Sequence, residues 1–181
     1  MKSLWLSVLC IVLLLSGCLD AERFSLSLDL KGNTAQIGYS NIVSDSKEEA
    51  GIRGDFEELL KKAHGEDQAG KSGKFVSANL YEKDGRLDGV AGYSFRDNAE
   101  MLKEYEITRD EKGDFIFDLS KESNLEYAGG NGAYVEEGKK RFVRWDRNSA
   151  SLVIELKNKA FDAKTRGLLS YWLGWKKQGQ K

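Results

Sequence analysis

The side chains able to do chemistry are few in kind. The 181-residue chain has one histidine, His64, and two cysteines, Cys10 and Cys18, beside 29 acidic residues. A Ser–His dyad would have to use His64, and no Gly-x-Ser-x-Gly elbow surrounds any serine. One histidine without a second thiolate gives no zinc site of the usual ligand types. His64 falls at the predicted end of a helix, where a cation complements the helix dipole and sits on the surface. The carboxylates are plentiful but scattered. Glu57-Glu58 and Glu136-Glu137 lie in solvated sequence, and a glycosidase needs two carboxyls facing each other across a cleft, which adjacency does not provide. Asp110, Asp114 and Asp118 recur every fourth residue, without the twelve-residue calcium loop or its closing glutamate, and read as turn and strand-exposed positions. The run Gly129-Gly130-Asn131-Gly132 lacks the Gly-Lys-Ser/Thr ending of a phosphate loop and reads as a flexible contact segment. No catalytic or metal-binding residue and no cofactor is assigned, and the pattern points away from an enzyme.

The informative cysteine is the one at the end of an apolar opening. Lys2 provides a positive start, and residues 4–15 are apolar except for Ser7. That run is too short for the ~20 residues needed to span a bilayer, and suits the hydrophobic part of a secretory signal. Small residues Ser16 and Gly17 then lead into Cys18. Leu15-Ser16-Gly17-Cys18 resembles a bacterial lipobox at all four places, a resemblance confined to residues 1–18. It implies a signal peptide over residues 1–17, cleavage between Gly17 and Cys18, a diacylglyceryl thioether on Cys18 and acylation (palmitate) of the new amino terminus. At ~0.8 kcal/mol per buried methylene, two or three chains hold a protein durably at a membrane. The resemblance implies a cell envelope location facing away from the cytoplasm. Asp20 stands one place beyond the position after the cysteine, which Leu19 occupies, so the outer membrane is favoured over the inner one where there are two.

Processing removes Cys10 and consumes Cys18, so the mature chain would have no disulfide and must be held by packing. Proline is absent, so no proline-rich spacer separates the anchor from the domain. A short tether over 18–23 and one domain over 24–177 are expected. Charge is divided along the chain. Residues 18–138 carry 26 acidic and 15 basic side chains, a net of −11, and residues 139–181 carry 12 basic and 3 acidic, a net of +9. Such a division arises when basic strands pair beside acidic ones in one sheet, or when a basic face meets an anionic surface.

Elements follow from period and punctuation. Phe24, Leu26, Leu28 and Leu30 alternate with Ser25, Ser27 and Asp29, the strongest strand signal in the chain. Lys31-Gly32-Asn33 turns it back into Ala35, Ile37 and Tyr39. Residues 44–54 read as a loop, and Asp55 with Glu58 as the start of a helix carrying Phe56, Leu59, Leu60 and Ala63. A second hairpin runs over 75–80 and 87–95 around Asp84-Gly85, and Asp97 with Glu100 repeats the capping pattern before Met101, Leu102 and Tyr105. Short strands over 105–108 and 115–119 flank Asp110-Glu111-Lys112-Gly113, residues 120–139 read as a long loop region, and 140–145 with 151–156 as a last hairpin around Arg147-Asn148. Asp162 caps a C-terminal helix presenting Phe161, Leu168, Leu169, Trp172 and Trp175. The expected class is α+β, with antiparallel β-hairpins in one curved sheet, two short helices after hairpins and a C-terminal helix packing on it.

One constellation outside the lipobox has a physical rationale. Trp175, Lys176 and Lys177 close the basic segment, and tryptophan with lysines suits a membrane interface. Core docking of the same helix is the competing reading. The expected partners are the membrane, through Cys18, and an envelope protein or lipid, with no nucleic acid. The expected role is a lipid-anchored, non-enzymatic binding or scaffold module. The alternatives are a lipid-contacting or lipid-carrying protein with an apolar cavity, and a hydrolase working through carboxylates.

Overall fold

The computed structural model describes residues 18–66, 72–162 and 166–179. The lipobox residues ahead of Cys18, Gly17 among them, lie outside these. The fold is α+β, with two open antiparallel sheets and three helices among the described residues.

The alternating segment forms β1 (Leu19–Asp29), paired in antiparallel register with β2 (Thr34–Ser44). Phe24 faces Tyr39, Leu26 faces Ile37 and Leu28 faces Ala35, and all six side chains are buried. The turn needs small residues: Asn33 has φ 51, and a Cβ on Gly32 would lie 2.7 Å from the Asp29 carboxylate. Helix α1 (Glu49–Ala63) follows and packs Ile52, Phe56 and Leu59 into the core. The second hairpin is β3 (Lys74–Lys83) and β4 (Arg86–Ser94). Asp84 and Gly85 both have positive φ, the geometry of a two-residue hairpin loop matched to strand twist. Helix α2 (Asn98–Glu104) starts at Asp97, whose carboxylate accepts the Glu100 amide at 2.9 Å. The Glu100 carboxylate accepts the Arg96 amide, one residue ahead of the cap, so Asp97 caps the helix as expected while the return bond is displaced by one residue.

Beyond α2 lie β5 (Thr108–Arg109), β6 (Phe115–Asp118), β7 (Leu125–Gly130), β8 (Ala133–Glu137), β9 (Lys140–Trp145), β10 (Ser151–Asn158), β11 (Arg166–Gly167) and helix α3 (Leu169–Lys177). The larger sheet has the order β3-β4-β2-β1-β10-β7, with β11 on the far end of β2. The smaller sheet has the order β5-β6-β9-β8. Phe115, Phe117, Val143 and Trp145 of the smaller sheet join one core with Leu26, Leu28, Leu152 and Ile154 of the larger.

Several expectations are corrected in detail. Antiparallel strands and covering helices are present, but the strands divide between two sheets. Residues 140–145 and 151–156 are no hairpin: β9 pairs with β6 and β8, and β10 with β1 and β7. Residues 19–23 are not a tether but the first residues of β1, with Leu19 and Ala21 buried. Residues 49–54 are helix, not loop, so Asp55 is no cap. Its carboxylate accepts the hydroxyls of Ser44 and Ser46 and pins the β2–α1 connection to the helix. Gly51 allows that approach, since a Cβ there would lie 2.9 Å from Ser46. Tyr105 ends α2 and is not strand, and α3 starts after Leu168, not after Asp162.

The expected loop over 120–139 is mostly β7 and β8, which belong to different sheets. The glycine run is their crossing point and is closely packed. A Cβ on Gly130 would lie 2.2 Å from the Val153 carbonyl, and one on Gly132 would lie 2.7 Å from the Trp145 ring. Asn131 staples the crossing. Its Oδ1 accepts from Trp145 Nε1 in one sheet and from the Val153 amide in the other, each at 2.7 Å. Its Nδ2 donates to the Ser151 carbonyl at 3.1 Å.

Candidate functional site

The outer face of the larger sheet is polar by the same alternation that builds the core. Ser25 and Ser27 of β1 face away from it, as do Gln36, Gly38 and Ser40 of β2. Asp88 of β4 lies on this face beside Ser40 and opposite Tyr81 of β3. A Cβ on Gly38 would lie 2.4 Å from the Ser25 hydroxyl, so the glycine makes room for that hydroxyl on the sheet.

Between β1 and β2 the regular pleat breaks at one place. Leu19 and Ala21 are buried, and burial then resumes at Phe24, out of phase; on the partner strand it passes from Tyr39 to Ile42. The break falls at Glu22 and Asn41. Asn41 has φ 56, the left-handed region, inside a strand. Asparagine enters this region more readily than most residues, yet it costs an L-residue about 1–2 kcal/mol. Neighbouring polar groups hold it there. The Asn41 amide N–H donates to Asp88 Oδ1 at 2.8 Å, and Asn41 Nδ2 donates to Glu22 Oε2 at 3.0 Å. Arg86 Nη1 reaches the same Glu22 oxygen at 2.9 Å.

A cleft of about 370 Å³ opens at this break. Its floor carries Ser25 and Ser40, and its walls carry Glu22, Arg86, Asp88 and, from β10, Glu155. Asp88 is 5% exposed although it bears a carboxylate. Arg23 and Lys83 stand at the rim. Both signs of charge therefore meet hydroxyl groups in one polar concavity, fit for a ligand that carries donors and acceptors together.

The residues singled out from sequence lie elsewhere. Cys18 is exposed at the foot of β1, and its carbonyl accepts the Asp45 amide at 2.6 Å. Next to it, burial pushes the Asp20 carboxyl above its usual range and nearby Asp45 adds to the rise, although the Ala21 amide and the Asn158 side chain donate to it. Trp175 is half-buried, with its ring 6.2 Å from that of His64, which closes α1. Lys176 Nζ lies 4.5 Å from the centre of the Trp172 ring, and Lys177 is exposed. Helix α3 lies along α1 in the same direction, since Tyr171 meets Glu49 at the start of α1 and Phe56 at its middle, and Trp175 meets its end. The Trp175 patch thus lies toward the opposite end of α1 from Ser46, which meets Gly51 and Asp55, roughly 14–20 Å away along the helix. Asp110 and Asp118 accept backbone amides in turns and Asp114 pairs with Arg147, so the fourfold spacing is turn chemistry. Among the described residues, no group of three or more His, Cys, Asp or Glu side chains could hold a metal ion.

Sequence reasoning missed Glu22, Asn41, Arg86 and Asp88 as a group. Two signals were present: the apolar positions 19, 21 and 24 break the period of two, and Asp88 interrupts a small apolar run. Neither says that the two meet across three strands. No helix among the described residues is long and apolar enough to cross a membrane. No family model, no curated protein and no solved structure matches this chain.

Proposed function

We propose that this protein is a lipid-anchored protein of the bacterial envelope, acylated at Cys18, whose domain is a non-enzymatic binding module carrying the polar cleft. The supporting observation is the position of Cys18. It is exposed, and the next residue enters the sheet, so acyl chains there would hold the domain against the membrane with no spacer. The outer membrane is the favoured location. In this reading the cleft serves a ligand or an envelope partner on the side away from the cytoplasm.

The lipid-carrying alternative has less support. The apolar space between α1 and β3–β4 is about 40 Å³, and the groove beside Trp172 and Trp175 is about 190 Å³. Pockets for ligands of drug size run to ~300–1,000 Å³. A carboxylate hydrolase would have Glu22 and Asp88 to use, but the Arg86 ion pair and the Asn41 bond commit Glu22 to structure.

The test is membrane fractionation with a fatty-acid analogue in the producing bacterium. Wild-type protein should be labelled and membrane-bound, and Cys18→Ser protein unlabelled and released. A Cys18→Ser protein that stays labelled and membrane-bound would overturn the reading.

A further inference from the structure

We infer that the cleft at the β1–β2 pleat break binds a small zwitterion of amino-acid or dipeptide size, its ammonium group received by Asp88 and its carboxylate by Arg23 and Lys83. The inference rests on the reading of the domain as a binding module and names its ligand class.

Asp88 carries the argument. A nine-tenths-buried carboxylate needs partners, because an ionised group away from water without them is costly. One oxygen, Oδ1, accepts the Asn41 amide. Among the described residues the other, Oδ2, has no hydrogen-bond partner, yet it is not sealed from solvent, so it opens into the cleft that Asp88 lines. Arg86, the nearest guanidinium in sequence, is taken by Glu22. A ligand N–H group would therefore complete Asp88. Ser25 and Ser40 add hydroxyls on the floor. Tyr81 stands directly across from Asp88 on β3 and is 37% exposed. Opposed residues in a sheet have Cβ atoms about 5 Å apart, so Tyr81 borders Asp88 on the β3 side, outside the residues that line the cleft.

The rim selects for the second charge. Among the described residues, neither Arg23 nor Lys83 forms an ion pair, and both line the cleft. A simple amine would be attracted by Asp88 and repelled by these two. A simple carboxylate would meet Asp88, Glu155 and Asp84. A molecule with a charge of each sign at its two ends satisfies both sets. The left-handed Asn41 fits the same account, since strained backbone collects at sites that are held for a ligand.

The probe is glycylglycine, which offers the two terminal charges and no side chain. Binding is read by amide chemical shifts and calorimetry on the full protein extracted in detergent. Glycylglycine should shift the amides of Ser25, Ser40, Asn41 and Asp88. N-acetylglycylglycine and glycylglycine amide should each bind about tenfold more weakly or worse. Asp88→Asn should weaken glycylglycine about tenfold while leaving the acetylated probe unchanged. Where Asp88→Asn lowers the melting temperature too far, Arg23→Glu with Lys83→Glu, both at the rim, should weaken glycylglycine but not its amide. Equal binding of the free and acetylated probes, or shifts confined to other surfaces, would overturn the inference, as would no binding at all. Lipid labelling at Cys18 is read separately, so a labelled protein that ignores glycylglycine defeats this inference and leaves the anchoring reading standing.

Discussion

Two asparagines sit where the strands of this protein depart from regularity, and they do opposite things. Asn131 fills its irregularity. Both ends of its amide are bonded, and the glycines around it let two sheets close on each other. Asn41 leaves its irregularity open. Its backbone takes the strained conformation, its bonds go to Asp88 and Glu22, and a cleft remains beside it. An interrupted strand pattern therefore has two physical meanings. Where the chain's own side chains satisfy the freed groups, the interruption is architecture. Where a buried carboxylate keeps a free oxygen, it is a place for something else to bind.

The largest effect should come from the core beneath both regions. Leu28 is fully buried between Ala35 and Leu152. Leu28→Asp buries an unpaired carboxylate, and a loss of several kcal/mol should abolish a cooperative melt under conditions where the wild type is folded. A melt near the wild-type temperature would show that this face is not core.

The same replacement at each asparagine separates the two meanings. Asn131→Gly leaves Trp145 Nε1 and the Val153 amide without their acceptor, and should cost about 2–4 kcal/mol in denaturant unfolding. Asn41→Gly removes one exchangeable bond and relieves a left-handed φ, so stability should change by about 1 kcal/mol or less. Equal losses at both positions would erase the distinction. The experiment also has a functional reading, because Asn41→Gly should loosen the cleft without unfolding the protein.

Much of this was legible in the sequence, and what was not has an identifiable cause. The β1–β2 and β3–β4 hairpins and the Asp97 cap could be read because period, turn residues and cap are all local. The Asp55 cap failed because the glycines at 51 and 54 disguised the first turns of α1 as loop, and because the partners of Asp55 are Ser44, at the end of β2, and Ser46, on the connection ahead of the helix. The 129–132 run was read as mobile because glycine is ambiguous between freedom and close approach, and only the position of Val153 and Trp145 decides. The cleft escaped for the same reason: it is assembled from β1, β2, β3, β4 and β10, and no window of sequence contains it.

The smallest expected effect concerns Asp20, two residues from Cys18. Burial raises its carboxyl, so the native state binds a proton more tightly than the unfolded chain does. Its stabilising contribution is complete below the unfolded value near 3.8 and is lost as pH rises through the higher folded value. Asp20→Asn should therefore raise the melting temperature slightly at pH 7 relative to wild type, with the gain disappearing below pH about 4. A gain that is the same at both pH values would assign the effect to packing and not to ionisation.

Cys18 is the proposed point of attachment, and the mass of the amino-terminal peptide decides it. Protein extracted from the membranes of its bacterium should begin at Cys18, with Gly17 removed, and should carry the added mass of a diacylglyceryl group on the sulfur and of any acyl chain on the amine. An amino-terminal peptide that still contains residues ahead of Cys18, or a Cys18 with an unmodified thiol, would contradict it.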